Sequence, residues 1–563
     1  MALLFMVAFH LSAKLNAQKP EPASFKQTFA SDYQSYLDRK FAARFENLTI
    51  GKETISITVK LNDDRTRANE LVIAVLPPHI PSQRAITKTQ LLDTKFFKEE
   101  HTCKVTITRR SPTGADLAHC RFVLVQQQNQ SITPLTPATY AQEWEPGLQR
   151  ELEPLKGKDR KGLGGIPSNS AKADHPIYDL GLSHVTINIV LNGLIQRTPR
   201  IGFQEWEFEG RKYYVNENVL RRYDGQLARL RAENIVVSMI LLISNQRRNG
   251  AKHLLIHPEA ESDGKFAMPN LTSAESANMY RAILTHLAER FSREGPNAGR
   301  VTNWIMHNEI DQSGAWTNMG AQPIERYFET FMRSTRLVHQ VTRRFNPHSR
   351  AFVSLTHHWT KISKGKHVYR VRDLIDLFAR ASNVEGDFEW GVAYHPYPQN
   401  LREPRTWNDR QVTFDFDTPL ITSKNIEVLP AYLNQRRIRF EGEHQRAILL
   451  SEQGCSSPTM SDEDQRVQTA GIVYMFLRMR QLPTVEAFHY HAYKDTPAVE
   501  QARFGLVDEN LKPKFSWRIY KALNTDGEQE TIEFAKPIIG NTVFRNSIPL
   551  KRVTSTSKQD GNN

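Results

Sequence analysis

Short runs of alternating apolar and polar residues fill the first part of the chain. Four such runs, separated by polar and turn residues, lie at 55–61, 70–76, 103–109 and 120–126. Alternation with a period of two is typical of strands that bury one face, and several such strands in succession predict an antiparallel, β-sandwich-like domain. We place this domain at 18–130 and expect 131–158, which is rich in Gln, Pro, Thr and Lys, to be a linker.

After this linker the pattern changes to apolar runs that alternate with helical segments. The run at 235–243 is continuously apolar, as in a strand buried on both faces of a parallel sheet. The predicted strands lie at 161–165, 184–189, 235–243, 301–307, 351–357, 389–395, 447–452 and 485–491. Eight strands alternating with helices, and no Gly-rich phosphate loop after an early strand, predict the α/β class and a (β/α)8 TIM barrel at 159–530. We expect 531–563 to be a polar C-terminal tail.

The first residues form an apolar stretch that ends at Ala17 and is followed by a polar run. This pattern predicts a signal peptide at 1–17, and therefore a secreted or periplasmic protein. The stretch is too short to span a bilayer, so we expect no membrane partner.

Composition adds two constraints to this picture. The 563-residue chain has a formal charge of +13, but its basic residues are dispersed and match no nucleic-acid-binding signature, so we expect no nucleic-acid partner. A basic surface favours polyanions, which here suggests an anionic (sulfated or uronic) polysaccharide. Among three cysteines, Cys103 and Cys120 flank a predicted hairpin and could pair. No Cys/His spacing is typical of zinc, and we expect neither a metal nor a cofactor.

The candidate chemistry lies where the barrel strands end, because active residues of such barrels cluster at that edge. Strand four ends in Asn308-Glu309 and strand seven in Ser451-Glu452. Strands four and seven face each other across the mouth and can hold two carboxyl groups about 5 Å apart. Glycosidic cleavage needs such a pair, since one carboxyl group protonates the leaving oxygen and the other attacks the anomeric carbon or activates water.

Three separated motifs resemble clan A of the glycoside hydrolases: Asn-Glu after strand four, Glu after strand seven, and His395-Pro396-Tyr397 after strand six. The likeness covers about residues 160–525. It implies that Glu309 is the acid/base, Glu452 the nucleophile of a retaining hydrolase, and Asn308 a partner of the sugar 2-hydroxyl. It further implies that Tyr397, or alternatively Tyr394, holds Glu452, with His395 beside the same site.

Other aromatic and polar residues near these strand ends are candidates for substrate binding. Aromatic faces stack on the C–H faces of sugars, and imidazole and amide groups bond their hydroxyls. The candidates are Trp316, Trp359, His357, His489, Tyr490 and Asn192, and the histidines at 358 and 491 could contribute in the same way. The chain departs from the clan in having Asn188 and Asn192, and no Arg, near the end of strand two.

Two alternatives to hydrolysis remain open at this stage. A non-catalytic barrel that binds polysaccharide would keep the aromatic groove and could lose either glutamate. A basic adhesion or scaffold protein would bind through its N-terminal domain, and its isolated barrel would have no affinity for sugar.

Overall fold

The computed structural model describes residues 22–62, 70–112, 114–247, 250–295 and 297–555. The signal peptide predicted at 1–17 lies outside these residues. Among the described helices, none is both long enough and apolar enough to cross a membrane.

The N-terminal part of the chain is rich in strands and begins with a helix that the sequence analysis did not predict. Its elements are α1 (Ala23–Asp38), β1 (Ala43–Ile50), β2 (Thr54–Leu61), β3 (Leu71–Leu76), β4 (Phe97–Glu99), β5 (Thr102–Thr108), β6 (Arg121–Gln128), β7 (Ser131–Pro134), β8 (Thr139–Tyr140) and β9 (Glu143–Trp144).

These strands form two sheets that share one cluster of buried side chains. One sheet has the order β4-β5-β2-β1-β9, and the other has the order β3-β6-β7 with β8 paired to β6. Ile57 of β2, Ile73 of β3 and Phe122 of β6 belong to the shared cluster. The strand-rich region is therefore confirmed, whereas its sandwich arrangement stays a prediction. No disulfide joins Cys103 and Cys120, which are both buried.

Residues 131–144 are not the linker that we expected, because strands β7, β8 and β9 lie there. β7 and β8 pair with β6, and β9 runs parallel to β1 with Glu143 opposite Thr49. Strands of two to four residues leave almost no alternation in the sequence. Their pairing depends on the edges that longer strands offer, which a local pattern does not record.

The rest of the chain contains the predicted barrel. Its strands are β10 (Lys161–Leu163), β11 (His184–Val190), β12 (Ile195–Gln196), β13 (Gln204–Phe208), β14 (Arg211–Val215), β15 (Val236–Leu242), β16 (Asn303–Met306), β17 (Arg350–Thr356), β18 (Trp390–His395), β19 (Ile448–Gln453) and β20 (Val485–Tyr490). Strands β10, β11 and β15 to β20 close into an eight-stranded barrel, in which every neighbouring pair is parallel. The other three, β12 to β14, form a small antiparallel sheet that the sequence analysis missed.

Helices fill most of the connections between barrel strands. They are α2 (Glu217–Ala232), α3 (Ala274–Arg290), α4 (Ser313–Trp316), α5 (Ile324–Phe345), α6 (Val371–Glu385), α7 (Val428–Leu433), α8 (Asp462–Arg480), α9 (Pro497–Glu500), α10 (Phe515–Ala522), α11 (Glu528–Ile539) and α12 (Asn541–Ser547). Their ends follow ordinary capping rules. Helix α8, for example, begins after Ser461, whose hydroxyl accepts the N–H of Asp464, and it carries Arg478 and Arg480 in its last turn, where the helix dipole favours cations.

The barrel interior is filled by an apolar layer with polar side chains beyond it. The layer consists of Ile240, Leu242, Ile305, Phe352, Ala393, Leu449 and Ala487. Because side chains alternate along a strand, each of these residues is followed two positions later by another inward position. On β18 and β20 these positions hold His395 and His489, so both histidines point into the barrel next to the apolar layer.

The strand-rich region packs directly on the barrel helices. Tyr33 and Leu37 of α1 are buried in the same apolar cluster as the barrel core. Buried polar contacts add to this packing, since Arg333 donates to the Pro78 carbonyl oxygen (2.7 Å). The N-terminal region is therefore joined to the barrel by an interface with its own buried side chains.

Residues 531–547, which we expected to belong to a tail, form most of α11 and all of α12. Ala535 and Ile539 of α11 are buried against Tyr474 and Leu477 of α8 in one apolar cluster. The segment has apolar residues at helical spacing, and the expectation of a polar tail overlooked them: Ile532, Ala535, Ile538 and Ile539.

Candidate active site

Both predicted glutamates line one cavity at the carboxyl ends of the barrel strands. Glu452 is the next-to-last residue of β19, and Glu309 lies three residues after the end of β16. The cavity has a volume of about 470 Å³ and is lined by Asn188, Leu242, Lys265, Phe266, Asn308, Glu309, Gln312, Trp316, Thr356, His357, His358, Tyr397, Leu401, Glu452, His491, Val499, Glu500 and Phe504.

Glu309 is held in an unusual backbone conformation. Its φ of 40° and ψ of 63° lie in the left-handed region, which residues other than glycine seldom adopt. The surroundings fix this conformation: the Glu309 N–H donates to Ser354 Oγ (2.9 Å), and its carbonyl oxygen accepts from Gln312 N–H (2.8 Å). Strained residues persist where neighbours over-determine them, often at functional sites, and here the strain directs a carboxylate into the cavity.

His395 connects the Glu309 side chain to the two neighbouring strands. Its Nδ1 lies 2.9 Å from Glu309 Oε1, and its Nε2 lies 3.1 Å from Ser451 Oγ and 3.4 Å from Ser354 Oγ. The ring is fully buried below the cavity. His395 is therefore a partner of Glu309 and does not itself line the cavity.

Tyr397 holds the second glutamate. Its hydroxyl donates to Glu452 Oε1 (3.0 Å), which is the contact that the sequence analysis expected of Tyr397. The alternative, Tyr394, is buried, and its hydroxyl donates instead to the Ile421 carbonyl oxygen (3.3 Å). Strands β19 and β20 shift register between Leu450 and Gln453, beside Glu452, and such irregularities commonly redirect a side chain next to an active site.

The electrostatics of the cavity favour an ionised Glu452. Burial by itself would raise the pKa of Glu452, but His491, His395 and the Tyr397 hydroxyl outweigh it, and the pKa is lowered from 4.5. The reciprocal effect acts on the two imidazoles. Burial opposes their charged forms, yet the nearby carboxylates, Glu452 first among them, raise the pKa of both His395 and His491 above 6.5.

Glu309, His395 and Glu452 also have the residue types of a metal site. One ligand atom from each lies within 4.8 Å of the other two. Two of these side chains, however, already hydrogen-bond each other, and Glu452 is bonded by Tyr397. Zinc ligands lie about 2.0–2.3 Å from the metal, so these direct bonds would have to be given up to admit an ion. We assign the group as a hydrogen-bonded network.

Six of the residues that the sequence analysis considered for this site line the cavity: Asn308, Trp316, His357, His358, Tyr397 and His491. The Trp316 ring stacks on Phe266, with centroids 6.0 Å apart and planes 20° from parallel. Lys265 Nζ lies 4.6 Å from the centroid of the Trp316 ring. Together, Phe266 and Trp316 form an aromatic platform on the wall of the cavity.

Trp359 and Asn192, which we expected at the substrate, are used elsewhere. The Trp359 indole N–H donates to the Phe416 carbonyl oxygen (2.8 Å), and the ring is fully buried. Asn192 bonds the backbone of Ser244 through both its amide nitrogen (2.8 Å) and its oxygen (2.9 Å). Both side chains fasten loops that follow barrel strands, so their position near a strand end has a structural cause.

His489 and Tyr490 also lie away from the cavity, on opposite faces of β20. His489 points into the barrel, where its Nδ1 is 3.3 Å from the Leu450 carbonyl oxygen. Tyr490 points outward, and its hydroxyl donates to the Phe504 carbonyl oxygen (2.6 Å). The strand ends too early for either side chain to reach the mouth, and His491, one residue further on, takes that place.

Several cavity residues were not singled out from the sequence. Among them, Lys265 and Phe266 lie in the long connection between β15 and α3, and Glu500 ends the short helix α9. The sequence offered one weak signal, which is that all three follow a barrel strand and precede the next long helix. The connections are too irregular for their spacing to indicate which side chains turn inward.

Known proteins that are similar to this chain include solved structures of glycoside hydrolases. No curated protein sequence matches the chain. The solved structures similar to it include a family 39 glycoside hydrolase from Bacteroides cellulosilyticus (14% identity, 85% of this chain and 82% of that chain, TM-score 0.42). They also include a Bacteroides uniformis beta-glucuronidase (11%, 86% and 49%, 0.36) and a family 1 β-glucosidase from Thermotoga maritima (13%, 62% and 83%, 0.36).

The chain spans about half the length of the beta-glucuronidase, at 49% of that chain. A family model matches residues 153–546, a range that contains the whole barrel and both glutamates. Its description is a family of unknown function, DUF5722, and the chain belongs to this family.

Proposed function

We propose that the protein is a retaining glycoside hydrolase that cleaves a polysaccharide or oligosaccharide. One observation carries the proposal: two glutamates from facing strands of a closed barrel share a cavity, with side-chain oxygens within 4.8 Å of each other. Retaining enzymes hold their two carboxyl groups about 5–5.5 Å apart, whereas inverting enzymes leave room for a water between them.

The surroundings of the two carboxyl groups support different roles. Glu452, whose carboxylate accepts the Tyr397 hydroxyl and has a pKa below its usual value, attacks the anomeric carbon and forms a glycosyl-enzyme. Glu309 protonates the departing oxygen and then removes a proton from the water that releases the sugar. His395 keeps Glu309 oriented through both steps, because its other nitrogen is bonded to Ser451.

The charge distribution bears on the choice of sugar. The formal charge of +13 favours an anionic polysaccharide, but the cavity wall contains three carboxylates, Glu309, Glu452 and Glu500, and one lysine, Lys265. We therefore place an anionic substituent of the substrate at the Lys265 rim, beside the aromatic platform. An exported enzyme would meet such polysaccharides outside the cell, which agrees with the signal peptide predicted at 1–17.

The test is hydrolysis of a panel of neutral, uronic and sulfated glycans by the wild type and by Glu452→Gln. We expect release of reducing sugar by the wild type, retention of configuration in the first product observed by proton NMR, and a loss of roughly 10⁴-fold or more in the variant. Glu389→Gln is the matched control, because Glu389 is exposed and lies at the opposite end of the barrel.

Three outcomes distinguish the alternatives. Inversion of configuration would replace the double displacement by a single one. Binding without release, equal in the wild type and in Glu452→Gln, would identify the protein as a polysaccharide-binding barrel. Sugar binding by the full chain that is unchanged when both Trp316 and Phe266 are substituted would favour the adhesion or scaffold alternative, in which the N-terminal region binds.

A further inference from the structure

A second hydrogen-bonded pair of acid and histidine lines the cavity that contains the nucleophile. His491 Nε2 lies 2.9 Å from Glu500 Oε1, and both residues line the cavity with Glu452. The hydrolytic steps described above give neither residue a direct role. Glu500 is the last residue of the four-residue helix α9, so its placement depends on the connection that follows β20.

The backbone fixes His491 relative to the nucleophile. The His491 N–H donates to the carbonyl oxygen of Gln453, the residue that follows Glu452, at 2.7 Å. A Cβ atom on Gly454 would come within 2.1 Å of the His491 carbonyl oxygen, so this close approach requires glycine at 454. The ends of β19 and β20 thus bring His491 to Glu452 in one arrangement.

The imidazole ring is packed from several sides. The rings of Phe504 and Tyr397 lie 6.0 and 6.5 Å from it, centroid to centroid. On another side are Gly164 and Gly165, where an added Cβ would lie 3.8 and 3.9 Å from His491 Nδ1. Those distances are ordinary van der Waals contacts, and the φ of 64° at Gly165 is what favours glycine there. A ring packed in this way is held in one orientation within the cavity wall.

The titratable groups that face His491 favour a proton on it. They are Glu452 on β19, Glu309 after β16, Glu500 after β20 and the phenol of Tyr397 after β18. Burial lowers the pKa of His491, but the carboxylates outweigh it, with Glu452 contributing most, and the pKa rises above 6.5. In the other direction, His491 is the strongest influence that lowers the pKa of Glu452.

We propose that His491, held by Glu500, is a positioning residue that carries a positive charge beside Glu452 and keeps the nucleophile ionised and oriented. This inference rests on the proposed function, because it assigns Glu452 the attacking role. It adds a requirement of its own, which is that the attacking form of the enzyme has a proton on His491.

The first test is the pH dependence of kcat/KM on a dinitrophenyl glycoside, whose leaving group needs no proton from Glu309. An opposite charge nearby lowers the pKa of a carboxyl group by about 1–3 units, so we expect His491→Gln to move the acid limb upward by about one pH unit or more. Glu500→Gln moves the limb in the same direction by less, because the imidazole remains.

The matched control is His358→Gln, which removes another imidazole from the cavity wall. Burial, followed by Lys361, lowers the pKa of His358 to about 4, so this residue brings no positive charge to Glu452 at neutral pH. We expect the acid limb of this variant to coincide with that of the wild type. An acid limb that stays in place in His491→Gln as well would overturn the proposal, whatever the change in rate.

A second measurement reads the charge of His491 without using activity. In the full chain labelled with ¹³C at histidine Cε1, the His491 resonance is identified by its absence from His491→Gln. We expect its titration midpoint above 6.5 in the wild type and lower in both Glu452→Gln and Glu500→Gln. A midpoint below 6.5 would contradict the proposal. If no glycan is hydrolysed but the midpoint is raised, the proposed function fails while the charged His491 stands.

Discussion

Two buried histidines, one beside the proposed catalytic carboxyl groups and one in the barrel interior, have pKa values shifted in opposite directions. His395, at the mouth, and His489, in the interior, are both fully buried. Burial lowers the pKa of each, but Glu452 and Glu309 raise that of His395 above 6.5, whereas His489 falls to about 3. Burial alone therefore does not decide the charge of a histidine in this barrel; the neighbouring carboxylates do.

The interior contains a second histidine instead of an acid. His184 meets His489 edge to face, with centroids 6.0 Å apart, and burial lowers the pKa of His184 to about 4. Neutral imidazoles suit a core because they need few partners. Charged ones at the mouth need the carboxylates beside them, and that dependence links the charge of the site to its chemistry.

Glu309→Gln should have a larger effect than a substitution of either histidine, because it removes one of the two carboxyl groups at the mouth. We expect kcat/KM to fall roughly 10²- to 10⁴-fold on substrates with poor leaving groups, since general acid catalysis is lost. Dinitrophenyl glycosides should lose much less in the first step, as their leaving group needs no proton. Equal losses on both substrate classes would contradict the acid/base role of Glu309.

His395→Gln tests whether the mouth needs its buried histidine. The substitution removes a hydrogen-bond partner of Glu309, and such bonds to charged groups contribute about 1.5–3 kcal/mol, so we expect kcat/KM to fall about 10- to 100-fold. The fall in kcat/KM is measured by steady-state kinetics on one activated and one unactivated glycoside. An unchanged kcat/KM would show that Glu309 holds its orientation without His395.

His489→Leu tests whether the interior histidine is held neutral by the fold. With a folded pKa near 3, His489 binds a proton more readily in the unfolded chain, so its contribution to stability is complete above pH 6.5 and is lost as the pH falls toward 3. Below pH 6 the unfolding free energy of the wild type should fall as the pH falls. In His489→Leu this slope should be smaller by up to about 1.4 kcal/mol per pH unit.

Denaturant titrations at pH 7, 6, 5 and 4 measure the effect of His489→Leu. The Leu450 carbonyl oxygen also accepts from Gln453 Nε2 (3.2 Å), so the substitution does not strand that carbonyl group. Parallel pH curves for the wild type and the variant would show that His489 is not held neutral by the fold.

Lys265→Ala gives the smallest effect, at the outer edge of the mouth. The lysine is exposed, and exposed ion pairs contribute about 0–1 kcal/mol, so we expect KM for anionic glycans to rise at most about fivefold. Neutral glycans should show no change, and their KM is the internal control. A loss that is equal for both would contradict an anionic subsite at Lys265.

Much of the barrel was predictable because most of its strands are apolar runs that can be recognised in the local sequence. Continuous apolar runs such as 235–243 and 447–452 correspond to β15 and β19 within one or two residues. The candidate carboxylates followed from the same patterns, since a strand that ends in Glu must direct that side chain toward the mouth or an ion pair. His395 and Tyr397 were assigned to the site through the resemblance to clan A, whose motif after strand six they match.

The failures lie where an element depends on a distant partner. The helix α12 and the two-residue strands β8, β9 and β12 are short and need neighbours to cover or pair them. Similarly, the sequence placed His489 and His491 together, and only the end of β20 shows which one reaches the cavity.

Apolar periodicity, a local property of the chain, was sufficient to predict the eight barrel strands and the strand ends that carry Glu309 and Glu452. Only the tertiary structure shows which polar side chains hydrogen-bond each other. The pairs are His395 with Glu309, Tyr397 with Glu452, and Glu500 with His491. These pairs join residues 9 to 86 positions apart, and their charges depend on burial and on distances that closure of the barrel sets.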